Sequence, residues 1–316
     1  MNTPASDIAL ELTGVSKRFD RRCVLDGLAL TVKRGEIVGL LGPNGSGKTT
    51  TLRIAAGVLW ADGGQVRIAG RTVDPAATKL RSRIGYLPER VPLYDAFTVD
   101  EYLAFVAAAR GLGGSARSAA VQRVLNAFDL DRVRRRVIGQ LSKGFRQRIG
   151  LAEALIGEPD VLLLDEPTNG LDPFQIIEAR TMIRSAAEQR GVVISTHILQ
   201  EVAALCTRVV FLKNGHLIEI ASGSADGYES VVAVLRTADA TALRAAILAL
   251  DPRIVIEAMM PSEGSLKFTI TLPVDPRLRG ALAKLLAGQG ELYEFSGAES
   301  ALEAALAAAL ADHSRP

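Results

Sequence analysis

The chain has 316 residues, 48% of them hydrophobic, and a formal net charge of +2; that length buries a large core and predicts two domains, and the near-balanced charge gives no reason to expect a nucleic-acid partner. Cys23 and Cys206 stand far apart without metal-ligand spacing and are read as reduced thiols of a cytosolic protein. The opening MNTPASDIAL lacks the basic and apolar regions of a signal peptide, and no run reaches the roughly eighteen apolar residues of a membrane span, so a membrane role would have to come through a partner.

In chain order, strand-like segments fall at 8–12, 28–32 and 37–41. The third, Ile37-Val38-Gly39-Leu40-Leu41, runs directly into Gly42-Pro43-Asn44-Gly45-Ser46-Gly47-Lys48-Thr49-Thr50, which fits the glycine-rich phosphate loop closed by Lys-Thr. Glycines at 42, 45 and 47 let the backbone curl so that successive N–H groups point inward. The helix that follows, through Leu52, Arg53, Ile54 and Ala55, adds its own unpaired N–H groups and positive dipole end. Lys48 is then placed to reach β- and γ-phosphates, and the Thr49 hydroxyl to ligate Mg2+. A plain turn ahead of a core helix would not require Lys-Thr at its close, so the segment predicts binding of a nucleoside triphosphate.

Further strands are predicted at 66–68 and 84–87, after which the pattern turns wholly helical from 97 to 157. Thr98 with Glu101 forms a capping box ahead of Tyr102, Phe105 and Val106. Arg132-Val133-Arg134-Arg135-Arg136 is the densest positive cluster, has no interleaved aromatics, and reads as a solvated edge. Ser142 is a good N-cap for a helix running through Ile149, Ala152, Leu155 and Ile156.

Residues 161–166 read VLLLDE. A strand at 161–164 would deliver Asp165 to Mg2+ beside the phosphate loop and leave Glu166 to polarise a water for attack on the γ-phosphate. Four aliphatics and two acids can also mark a buried strand leaving the core; the upstream phosphate loop and the following Pro167-Thr168-Asn169-Gly170-Leu171-Asp172 favour the functional reading. A strand at 192–195 ends near His197, which could reach the same phosphate and water. Asn214-Gly215, between 209–212 and 217–220, predicts a tight hairpin.

Composition shifts at Ala221-Ser222-Gly223-Ser224-Ala225-Asp226-Gly227, a linker pattern. Beyond it the order reads strand, helix, strand, strand, helix, strand, helix. Residues 265–272 alternate strictly, and Leu243, Ile247 and Leu250 share a helical face, as do Leu278, Leu282 and Leu285. A small βαββαβ sandwich of ferredoxin type fits this order. It carries no histidine before His313, no cysteine and no acid cluster at ligand spacing. The expected division is therefore an α/β nucleotide-binding domain over 1–222, with a helical subdomain near 95–157, and a regulatory or dimerisation domain over 228–316.

Leu141-Ser142-Lys143-Gly144-Phe145, lying shortly before the Asp165 strand, brings out a resemblance to the ATP-binding cassette (ABC) ATPases, whose signature is Leu-Ser-Gly-Gly-Gln. The matching motifs span about 180 residues, from Phe19 to His197, in the family's order. The resemblance implies a P-loop fold of ABC type with Phe19 stacked on adenine, Gly42 to Thr50 cradling the phosphates, and Asp165 and Glu166 serving Mg2+ and the attacking water. His197 would be the switch residue, and Asp172 would lie in a loop crossing a dimer interface. Ser142 and Gly144 would act on the ATP held by the opposite subunit, a helix N-terminus aimed at a γ-phosphate from outside. A symmetric homodimer would then sandwich two ATP molecules.

Two motifs depart from the pattern. Glu89, in Gly85-Tyr86-Leu87-Pro88-Glu89, stands where the family has glutamine; it can bind water or Mg2+ but adds a negative charge beside the phosphates. Lys143 and Phe145 replace glycine and glutamine of the signature. Lys-Gly signatures and an extra C-terminal domain resemble the exporter branch that includes gliding-motility, sodium-export and antibiotic-export ATPases. The implied function is the ATP-hydrolysing subunit of an exporter, a homodimer held at the cytoplasmic face of the membrane by separate membrane subunits. Pro92, Leu93, Tyr94 and Phe97 are candidates for receiving a partner's short helix, with ordinary packing of the helical block as the competing reading. The alternatives are a soluble ABC ATPase acting on ribosomes or nucleic acid, and a nonenzymatic ATP-gated binding module.

Overall fold

The computed structural model describes residues 7–73, 82–220, 228–237, 239–262, 265–273, 275–296 and 306. The chain divides into two compact units, Met1–Ile198 with Val210–Ile218, and Leu199–Val209 with Glu219–Pro316.

The first unit opens on a sheet that the short apolar windows only partly revealed. Strands β1 (Ile8–Phe19) and β2 (Arg22–Lys33) are each 12 residues long, and with β4 (Gly63–Ile68) and β5 (Arg71–Thr72) they pair in the order β2-β1-β4-β5. Every pairing in this sheet is antiparallel. Such a sheet can leave one face in water. Leu10, Leu12, Val15, Leu28, Leu30 and Val32 are buried while their neighbours other than Ala9 stay partly exposed, and register shifts along β1 break the alternation. The strand-like windows at 8–12 and 28–32 are the apolar parts of longer, half-solvated strands in a sheet of their own.

The second sheet has the order β10-β9-β3-β8-β7-β6, formed by β3 (Ile37–Leu41), β6 (Ile84–Leu87), β7 (Val161–Asp165), β8 (Gly191–Thr196), β9 (Arg208–Lys213) and β10 (His216–Ile220). Strands β3, β8, β7 and β6 run parallel, and every residue of β3, β7 and β8 is buried. That burial explains why these strands read as continuous apolar runs. The β9–β10 turn holds Asn214 at φ 52° and Gly215 at φ 84°, the doubly positive backbone of a type I′ hairpin.

Helix α1 (Lys48–Ala55) follows β3. The helical block consists of α2 (Val99–Ala109), α3 (Gly114–Ala127) and α4 (Lys143–Leu155). Thr98 and Glu101 form the expected capping box. The block is not wholly helical, however. Between α3 and α4 lie two 3-10 turns, Asp131–Val133 and Ile138–Gln140, and Val137 bridges back to Thr98. The basic cluster lies in this stretch, where Arg134 pairs with Asp100 at 2.8 Å and Arg132 with Asp129 at 3.1 Å. Helix α5 (Pro173–Ala187) is the crossover between the parallel strands β7 and β8. In open parallel sheets ligands gather at the carboxyl ends of the strands. Gly42, Glu89, Asp165, Glu166 and His197 all follow or end such strands.

In the second unit, α6 (Leu199–Leu205) is followed after residue 227 by β11 (Tyr228–Arg236), α7 (Ala240–Leu250), β12 (Val255–Ser262), β13 (Ser265–Pro273), α8 (Pro276–Gly288) and β14 (Glu291–Ser296). The sheet order β12-β13-β11-β14, antiparallel throughout, is the βαββαβ sandwich that the alternation at 265–272 suggested. Phe268, Ile270 and Leu272 project from one face with Val231, Ala233 and Leu235, and pack with Leu243, Ile247, Leu282 and Leu286 of the helices. The linker 221–227 lies outside the described residues, as does the last predicted helix apart from Leu306.

Phe268 is fully buried and among the largest core side chains. Phe268→Ala is expected to destabilise this sandwich by about 3–5 kcal/mol. Hydrogen exchange should show β11 and β13 losing protection while β3 and the phosphate loop keep theirs.

Candidate functional site

The phosphate loop is shaped by glycines that no other residue replaces without strain. Gly47 sits at φ 110°, and a Cβ there would lie 2.9 Å from Leu25 Cδ2; a Cβ on Gly42 would lie 2.7 Å from the Leu212 carbonyl. Lys48, only 7% exposed, folds across the loop, its Nζ donating to Gly42 O at 2.8 Å and Pro43 O at 3.2 Å. Burial pushes its pKa below the ordinary lysine value, against the opposing pull of Glu166, Asp165 and Glu89. The ammonium thus borrows carbonyl partners in a socket built of N–H donors.

Asp165, at the end of β7, is 1% exposed. Its Oδ1 accepts from Thr49 Oγ1 at 3.2 Å and from Ser195 Oγ at 2.5 Å, while Oδ2 is buried without a hydrogen-bond partner. An orphaned buried carboxylate oxygen beside a threonine hydroxyl suits a hard cation. Among the described residues no group of three or more His, Cys, Asp or Glu is arranged to hold a metal ion. A cation here would take few protein ligands and draw the remainder from phosphate and water, which is the habit of Mg2+.

Glu166 has a left-handed backbone, φ 49°, held by its N–H donating to both the Ser195 carbonyl and the Ser195 hydroxyl at 3.1 Å. That turn swings its side chain away from β7 toward His197, whose Nδ1 lies 3.0 and 3.1 Å from the two carboxylate oxygens. At those distances an Nδ1–H would donate to the carboxylate. Asn169 Nδ2 donates to Glu89 Oε1 at 3.4 Å.

A cavity of about 480 Å³ brings these groups together: Lys48, Thr49, Thr50, Glu89, Glu166 and His197 line it, as do Asn44, Gly45 and Gly47. Phe19, half-exposed, lines the same cavity from the β1–β2 turn. Gly42, Pro43 and Ser46 lie in the loop without lining it, the first two serving Lys48 through their carbonyls, and Asp165 lies beneath. Ser142, Gly144 and Asp172 are not brought into it. Ser142 Oγ caps α4, accepting from Phe145 N–H at 3.5 Å, and Asp172 Oδ1 caps α5, accepting from Gln175 N–H at 3.0 Å. The two helix starts adjoin, since a Cβ on Gly144 would meet the Gln175 side chain at 2.6 Å.

Sequence reasoning missed four participants. Ser195, which holds Asp165 and Glu166, was one hydroxyl in an apolar run. Arg22 and Val24 line the cavity because the tight turn at Asp20-Arg21 places Arg22 opposite Phe19. Asn169 stood inside the segment after Glu166, with nothing to mark it as the partner of Glu89.

A family model described as ABC transporter matches residues 25–169. The probable multidrug ABC transporter ATP-binding protein YbhF of Escherichia coli K12 is 37% identical over 225 residues, 71% of this chain but only 38% of YbhF. The Nod factor export ATP-binding protein I of Burkholderia lata is 38% identical over 210 residues, 66% of this chain and 69% of that protein. Among solved structures, the dimeric MJ0796, a bacterial ABC transporter cassette, matches with a TM-score of 0.61 at 26% identity, over 66% of this chain and 96% of that one.

Proposed function

The chain belongs to the ABC transporter ATPase family, and from that premise we propose that it is the ATP-hydrolysing subunit of an exporter, a homodimer working beneath separate membrane subunits. The observation that carries the proposal is the gathering of Lys48, Thr49, Glu166 and His197 around one cavity, with Asp165 beneath and Ser142, Gly144 and Asp172 off it. Such a site is half built by one chain, and a second chain offering its own α4 N-terminus would close it.

On this reading Phe19 stacks on the adenine, and the N–H groups of Gly42 to Thr50 with Lys48 hold the phosphates. Thr49 and Asp165, with Glu89, would hold Mg2+, which would supply neutralisation of charge on the β- and γ-phosphates when bound. Glu166 accepts a proton from the attacking water, and His197, fixed by that carboxylate through Nδ1, turns Nε2 toward the γ-phosphate. Ser142 and Gly144 act on the partner's ATP, and Asp172 lies where the two chains cross. Residues 228–316 act as a regulatory or dimerisation domain.

No helix among the described residues is long and apolar enough to cross a membrane; on the exporter reading, separate membrane subunits hold the chain at the cytoplasmic face. The docking surface we favour is the aromatic group of Tyr94, Phe97 and Phe105, in which Tyr94 is 54% and Phe105 48% exposed. Similarity to a probable multidrug transporter ATP-binding protein and to a Nod factor export ATP-binding protein supports export without assigning a cargo. The test is affinity capture from detergent-solubilised native cells, using tagged Glu166→Gln protein with Mg2+-ATP. The expected result is a polytopic membrane protein in comparable amount; recovery of ribosomes or nucleic acid without one would contradict the proposal.

A further inference from the structure

Two of the departing residues, Glu89 and Lys143, share the wall of a second cavity of about 500 Å³, together with Arg90, Arg146, Gln147 and Asn169. Glu89 and Asn169 also line the nucleotide cavity, so their hydrogen bond is part of a partition common to both. On the nucleotide side the Glu89 charge is felt, since it is one of the carboxylates acting on the Lys48 ammonium. Unopposed, a carboxylate in that position repels the γ-phosphate of incoming ATP.

The other side of the partition is cationic. Arg146 is committed to Asp95 at 2.6 Å. Lys143 has no ion pair or hydrogen bond among the described residues. Its Nζ is packed over Gly170, which has φ +69° and where a Cβ would collide with it. The ammonium therefore rests against the loop whose preceding residue, Asn169, holds Glu89.

Resting on the ATPase reading above, we propose that Lys143 is a positioning residue matched to Glu89: its charge offsets the carboxylate across the shared partition, so that the γ-phosphate meets a wall of balanced charge. Both departures from the family pattern then have one cause, and neither is tolerated well without the other.

A double-mutant cycle on full-length protein tests this, read as the Kd for ATP in EDTA so that the Mg2+ role given to Glu89 does not enter. Lys143→Gln, an exposed change of similar side-chain size, is expected to raise the Kd for ATP about fivefold. The penalty should shrink at high salt, which screens partly exposed charges. Adding Glu89→Gln to that variant is expected to return the Kd to within about twofold of wild type. A purely structural role for Lys143 would not be rescued by removing a charge on another loop. If the Lys143→Gln penalty is absent, or persists undiminished in the double variant, the pairing is overturned while the ATPase reading stands. A wild type that turns over no ATP would overturn both.

Discussion

Replacing Glu166 by glutamine is expected to lower ATP turnover by at least about a hundredfold while leaving ATP binding intact, because the general base contributes roughly 10²–10⁴-fold to such reactions. The geometry makes this a clean subtraction. A glutamine Oε1 can still accept from His197 Nδ1, now 3.0 Å from the carboxylate, and the backbone at φ 49° is held through its N–H by Ser195 rather than by the side chain. What disappears is the capacity to take a proton from water. A negative charge beside the γ-phosphate is also removed, so ATP affinity should hold or rise. Phosphate release measured beside calorimetric ATP binding separates the two effects. Unchanged turnover would show that Glu166 is not the base.

Lys48→Met is expected to fail one step earlier. The ammonium supplies charge-assisted hydrogen bonds to phosphate, each worth about 1.5–3 kcal/mol, so ATP affinity should fall by one to two orders of magnitude. Stability should respond differently. Without phosphate, burial already disfavours the ammonium and the neighbouring carboxylates only partly compensate. Removing the charge therefore relieves a desolvation cost while forfeiting two bonds to carbonyls, and the nucleotide-free variant should melt close to the wild type. Calorimetric titration and thermal melting together check this; a large loss of stability with ATP affinity preserved would make Lys48 a structural residue.

How much of this was legible in the sequence follows from what each residue does locally. The bounds of β3 and β6 could be read directly because parallel strands buried on both faces leave unbroken apolar runs. The phosphate loop could be read because its glycines, Lys48 and Thr49 act through contiguous backbone. The β1–β2 sheet could not be delimited, since its bulges and solvated face blur the period. Glu89 and Asn169 meet only in three dimensions, as do Ser195 and Asp165, and nothing local in sequence announces either pair. Ser142 and Asp172 were visible as motif residues, and their place off the chain's own cavity agrees with the resemblance, which set them against a second subunit; of their local work as N-caps, only that of Ser142 was visible.

The central claim is that each chain holds half of a site completed by its twin. It is tested most directly by the solution mass of the Glu166→Gln protein, measured by light scattering with and without Mg2+-ATP. The 33.6 kDa chain should be monomeric alone and double its mass with nucleotide, and Ser142→Arg should block the doubling without abolishing ATP binding. A protein that binds Mg2+-ATP and stays at 33.6 kDa would contradict the account.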